Sequence, residues 1–119
     1  MKEVLRPEQV FALHPKIRGV GMVAMKGGIL FSEMRTGVKR MSPEAEDGLM
    51  LELQVPFHAE MANKRARWLG AMELAVLSYH AYYELHFPLG ENLVVVTVEK
   101  DTPFAEIPEI ARKIKDLSL

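Results

Sequence analysis

AMELAVLSYHAYYELHFPLGENLVVVTVEK, residues 71–100, is the stretch from which the fold is read. It divides into three strands, residues 72–78, 82–87 and 93–99. One turn falls at 78–81 and the other at Pro88-Leu89-Gly90-Glu91-Asn92. In the middle strand Tyr83, Leu85 and Phe87 share one face, while Tyr82, Glu84 and His86 share the other. The last strand, Leu93-Val94-Val95-Val96-Thr97-Val98, lacks polar alternation. A strand that is apolar on both sides needs cover on both faces. It is therefore expected at the centre of a sheet, with helices above and below.

Toward the N-terminus lies a hairpin. Residues 19–25 form one strand and 29–34 the return, joined through Lys26-Gly27-Gly28. Adjacent glycines accept positive φ without steric cost, as tight hairpin turns require. A short helix precedes it. Pro7 suits a first helical position, Val10 and Phe11 follow at helical spacing, and Pro15 drives His14 out of helical geometry.

Between the hairpin and the three strands runs a long helix. Ser42 is its expected cap, with Pro43 at the first position and Glu44, Glu46 and Asp47 against the positive end. Leu49, Met50, Leu53, Phe57 and Met61 recur at spacings of three and four, which predicts a core-facing stripe. Pro56 removes one helical hydrogen bond and predicts a kink or break. After the last strand, Asp101 or Thr102 is placed to cap a final helix. Its buried stripe is Ile107, Ile110, Ala111, Ile114 and Leu117, with Pro108 near the start. The order is α-β-β-α-β-β-β-α. The expected fold class is α/β (α+β), a three-layer α-β-α sandwich around a five-stranded, mostly antiparallel sheet.

Composition narrows the function. A chain of 119 residues favours one domain. A net charge of -1 argues against nucleic acid as a partner, which calls for a basic stripe. The absence of cysteine removes disulfides, thiol nucleophiles and thiolate metal sites together. The N-terminal residues lack the apolar core of a leader, and no apolar run reaches bilayer length. These features predict a cytoplasmic location without membrane association.

Motifs for chemistry are sparse. No phosphate-binding loop is present, and Gly19 and Gly21 lie at a strand, not at a strand-to-helix turn. No serine has the G-x-S-x-G context. His58 and Glu60 stand two apart on a helix and so point to different faces. His80, Glu84 and His86 could be drawn together as metal ligands, but with so few ligands the favoured account is surface or partly buried polar residues on a sheet. Tyr79, Tyr82 and Tyr83 suit ring stacking or cross-strand packing. Arg35, Lys39 and Arg40, and then Lys64, Arg65 and Arg67, form two small basic groups, read as a solvated loop and a helix end or as contacts for an acidic surface. Methionines at 22, 25, 34, 41, 50, 61 and 72 serve either as core filler or as an adaptable binding surface. No catalytic, cofactor or metal residue is assigned.

Several strings carry a resemblance. These are His14-Pro15-Lys16-Ile17-Arg18, Lys26-Gly27-Gly28, Leu69-Gly70-Ala71-Met72-Glu73, Phe87-Pro88-Leu89 and Ile110-Ala111-Arg112-Lys113-Ile114. Together with the element order, they resemble the roadblock/dynein-light-chain family and its profilin-like relatives. Among these, small archaeal proteins of unknown function are the closer match. The resemblance implies one roadblock-like domain over residues 1–119. It implies a non-enzymatic adaptor that forms homodimers or heterodimers and serves as a platform or regulator for small GTPases. Carried onto this sequence, the interface is a helix face of Leu49, Leu53, Phe57 and Met61 and an edge strand with Met72, Leu74, Val76 and Ser78. The alternative is a small-molecule sensor. Gly19, Gly21 and Ala24 would then thin the sheet, and Pro56 would bow the helix away from it.

Overall fold

The computed structural model describes residues 5–118, and along the long helix only the backbone at 54, 55, 57 and 59. Met1 to Val4, part of the stretch read as lacking a leader, lie outside the described residues, as does the side chain of Phe57.

The elements follow the expected order. Helix α1 is Pro7–Phe11, the hairpin strands are β1 (Ile17–Ala24) and β2 (Ile29–Met34), and the long helix α2 is Glu44–Leu69. Then come β3 (Ala75–Ser78), β4 (Tyr82–Leu89) and β5 (Asn92–Glu99). A 3-10 turn, Phe104–Glu106, leads into α3, Ile107–Asp116. The strands form one sheet in the order β2-β1-β5-β4-β3, with every neighbouring pair antiparallel. The apolar run thus lies at the centre, and β2 and β3 are the edges.

The two faces of the sheet are packed unequally. On one face Val20, Met22, Leu85, Phe87, Val94 and Val96 meet Val10 of α1 and Ile107, Ile110 and Ile114 of α3, all buried. Burying each such side chain is worth about 1.5–3 kcal/mol, so this layer supplies most of the hydrophobic stabilisation. On the other face, among the described residues, only Val23, Leu93 and Val95 form a buried apolar group, with Leu51 and Met72 packed on it. That face carries α2.

Several local expectations are corrected. Helix α2 runs unbroken through Pro56. Its N-cap is Pro43, in extended conformation and without a side-chain cap bond. Ser42 instead donates its hydroxyl hydrogen bond to Asp47 Oδ1. Neither Asp101 nor Thr102 caps the last helical region; Thr102 is buried, and Pro103 precedes the 3-10 turn. Strand β3 has four residues instead of seven, because its ladder with β4 begins only at Ala75, opposite His86. The preceding segment is held toward α3, where Lys115 Nζ donates to the Glu73 carbonyl at 2.8 Å. Strand β1 begins two residues earlier than expected, at Ile17, and a bulge lies between Ile17 and Gly19.

The largest correction concerns α2. Leu49, Met50, Leu53 and Met61, expected to face the core, are exposed. Among the described side chains of α2 the half-buried positions are Asp47, Gly48, Leu51, Pro56, His58, Ala62 and Ala66, and Asp47, Leu51, His58, Ala62 and Ala66 recur at spacings of four, seven, four and four. Those spacings define a single helical stripe. Among the described side chains, the inward stripe thus carries Leu51 with Asp47, His58 and two alanines, while Leu49, Leu53 and Met61 are exposed.

Candidate functional site

Two features stand out: a cavity between α2 and the sheet, and the outward stripe of α2 with the β3 edge.

The cavity follows from the cross-strand rows on the α2 side. One row reads Met34, Gly19, Thr97, Glu84, Leu77 across β2, β1, β5, β4 and β3. The next reads Ser32, Gly21, Val95, His86, Ala75. Each row has a glycine on β1, so the floor lacks side chains where a covered sheet usually carries aliphatic ones. Over Gly21 the helix closes in: a Cβ there would lie 3.7 Å from Leu51 Cδ1. Over Gly19 the three nearest atoms to such a Cβ all belong to neighbouring strands. The result is a cavity of ≈ 330 Å³. Its helix side includes Glu46, Asp47, Met50 and Leu51, and its sheet side includes Gly19, Gly21, Tyr82 and Glu84. The alternative reading of the sequence located a pocket by Gly19, Gly21, Ala24 and Pro56. Gly19 and Gly21 do line the cavity. Ala24 and Pro56 do not, and the cavity lies over the first turns of the helix.

The β1 bulge inserts Arg18 beside this space. Bulges re-aim side chains, and here Arg18 lines the cavity while Ile17 stays in the opposite core. Arg18 is 5% exposed. Its Nη1 donates to Glu99 Oε1 at 2.6 Å and its Nη2 to the Lys39 carbonyl at 2.8 Å, and its guanidinium lies 5.8 Å from the Tyr82 ring centre. Arg40 Nη1 donates to Asp47 Oδ2 at 2.8 Å. Both lining guanidiniums are thus matched by carboxylates. Glu84 lies with Oε2 2.8 Å from Nε2 of the buried His86, whose ring meets that of His58 edge to face at 5.8 Å. Tyr79 and Tyr82 pack edge to face at 5.7 Å. Burial first, then the carboxylates of Glu84 and Asp47, push the Tyr82 hydroxyl above its ordinary value; Tyr79 adds to this and Arg18 opposes it.

The other sequence candidates separate. His80 is exposed at a turn, away from the Glu84–His86 pair, and no group of three metal-ligating side chains occurs among the described residues. Tyr83 faces away from Tyr79 and Tyr82 and packs on Phe104 at 5.7 Å. In the first basic group Arg35 donates to the carbonyls of Phe11, His14 and Ile17, while Lys39 and Arg40 are exposed. In the second, Lys64 faces Glu60 at 3.7 Å and Arg67 stacks on Trp68 at 4.5 Å.

Of the proposed interface residues, Leu49, Leu53 and Met61 are exposed on α2, with Leu53 at 60%. Met72 packs on the smaller apolar group, and Leu74 and Val76 pack partly on the larger core. Ser78 is exposed at the end of β3. Sequence reasoning did not single out Trp68 and Leu69, each 73% exposed at the C-terminal end of α2. It also missed Arg18, whose bulge has no local signal. No helix among the described residues is long and apolar enough to cross a membrane.

By sequence, neither a protein-family model nor a curated protein matches the chain. By structure it has clear neighbours. The gliding protein MglB of Thermus thermophilus superposes with a TM-score of 0.70 at 15% identity, covering 92% of this chain and 79% of that one. The roadblock/LC7 domain of Streptomyces avermitilis gives 0.68 at 7% identity, with coverages of 93% and 89%. MglB in a tetrameric arrangement gives 0.66 at 14%, with 93% and 83%. At such low identity the likeness speaks for architecture alone: the chain has the roadblock/LC7 fold.

Proposed function

We propose that the chain is a single roadblock-like domain that pairs with a second copy and acts as a non-enzymatic adaptor for a protein partner, in the manner of regulators of small GTPases. The observation that carries this is the inverted α2. Its large aliphatic residues Leu49, Leu53 and Met61 are exposed, while Leu51, His58, Ala62 and Ala66 are half-buried. A helix that packs on a sheet with one side and carries large aliphatic residues on the other calls for cover on that other side too. The sheet supplies one cover, and a partner supplies the other. Strand β3 is a sheet edge on the same chain and leaves one row of backbone groups unpaired by the sheet. A twofold arrangement brings helix to helix and edge to edge with the same patch on each copy. MglB, whose fold this chain shares, has been solved in a tetrameric arrangement, which supports self-association as a property of such a scaffold.

The test is solution mass by light scattering on a sizing column, for wild type and for Leu53→Asp. Leu30→Asp, on the opposite edge strand β2, is the control. A wild-type dimer that only Leu53→Asp splits supports the proposal, and a wild-type monomer at micromolar concentration overturns it. A positive result then warrants a binding screen against small GTPases in their two nucleotide states.

A further inference from the structure

We infer that the cavity between α2 and the sheet is a binding site for a small organic cation: an ammonium group on a compact apolar body. Three independent features carry this. The first is space built into the sheet. Gly19 and Gly21 remove side chains from two successive rows of β1, and Leu51 covers only the second. The ≈ 330 Å³ that results is within the range of small-ligand pockets, about 300–1,000 Å³. The second is the lining. Met34, Met41, Met50, Leu51 and Val95 offer apolar, partly adaptable contact, and Tyr79 and Tyr82 add aromatic rings. Aromatic faces attract cations through their quadrupole.

The third feature is charge, and it selects the class of ligand. The two lining guanidiniums, Arg18 and Arg40, already donate to Glu99 and Asp47. Glu46 makes no ion pair among the described residues, and Glu84 approaches only the His86 ring. An anion entering would meet Glu46 and Glu84 with both guanidiniums occupied, Asp47 being itself held by Arg40 and Ser42. A cation would meet Glu46 from the helix side and Glu84 from the sheet side, neither engaged by a guanidinium. The inference is separate from the adaptor proposal, since it concerns the inner side of α2 and not the outer.

The experiment uses a matched pair of probes, phenethylammonium and 3-phenylpropionate, titrated into the full chain with amide chemical shifts as the readout. The expected result is saturable binding of the ammonium at millimolar concentration or below, with shifts centred on Gly19, Gly21 and Tyr82. At least about tenfold weaker binding of the carboxylate is expected, a free-energy difference of about 1.4 kcal/mol. Glu84→Gln should weaken the ammonium complex severalfold. Glu46→Gln, at an exposed helix position where folding is not at issue, should weaken it in the same direction. Saturation of both probes alike, shifts located elsewhere, or no site-localised saturation by the ammonium would each overturn the assignment. So would an unchanged affinity in both variants.

Discussion

If two copies pair as proposed, replacing Leu53 by aspartate should dissociate them without unfolding the chain. Leu53 is 60% exposed in the isolated protomer. Burying a whole leucine side chain is worth about 1.5–3 kcal/mol, so the area still open corresponds to about 1–2 kcal/mol in each copy. A twofold interface uses the residue twice, giving about 2–4 kcal/mol in total. At about 1.4 kcal/mol per decade, losing that term alone raises the dimer dissociation constant by about 30- to 1,000-fold. Aspartate adds the cost of drying two carboxylates without partners, so the observed change should lie at or beyond the upper end. The protomer itself should barely notice, since exposed substitutions usually shift stability by within about 0.5 kcal/mol. The assay is sedimentation equilibrium over a dilution series, with Leu53→Ala to isolate the area term and far-UV dichroism to confirm the fold. Unchanged association in Leu53→Asp would refute the placement of the interface on this stripe. Loss of the dimer together with loss of helical dichroism would refute the claim that Leu53 faces away from the core.

The remaining expectations concern the protomer. Ile110→Ala, at a buried position of α3 facing the sheet, should cost about 2–5 kcal/mol in urea unfolding. Pro56→Ala should stabilise α2, by up to about 3 kcal/mol in the urea midpoint analysis, because it restores a hydrogen bond and removes a clash in an unbroken helix. Tyr82 binds its proton more tightly folded than unfolded, so the stability tied to it is full below the ordinary tyrosine value of 10.0 and drains away as pH rises through the higher folded one. Wild type should therefore lose more stability than Tyr82→Phe on moving above about pH 10, as followed by thermal melts in alkaline buffers.

Leu93 to Val98 announced the centre of the sheet, because only a strand covered on both sides tolerates such a run. The isoleucines of α3 announced their own burial, because their spacing leaves one stripe and no competing one. Glycine at 27 and 28 placed the first hairpin, and both adopt positive φ. These features are local, and local chemistry is enough to read them. The assignment of α2 is different. Its strongest aliphatic stripe invites a core assignment, yet whether a stripe faces a sheet or a partner depends on what the sheet offers opposite it. Here that face holds Glu84, His86, Thr97 and two glycines, and Leu51, Ala62 and Ala66 are the side that turns inward. The cavity arises the same way. Gly19 and Gly21 are two letters in a strand until strand pairing sets them beside Thr97 and Val95 and the helix leaves Gly19 uncovered. Periodicity along the chain thus determined the elements and their order. The side of the long helix that faces out, and the space beneath it, were decided only when five strands brought residues some 80 positions apart, such as Arg18 and Glu99, into contact.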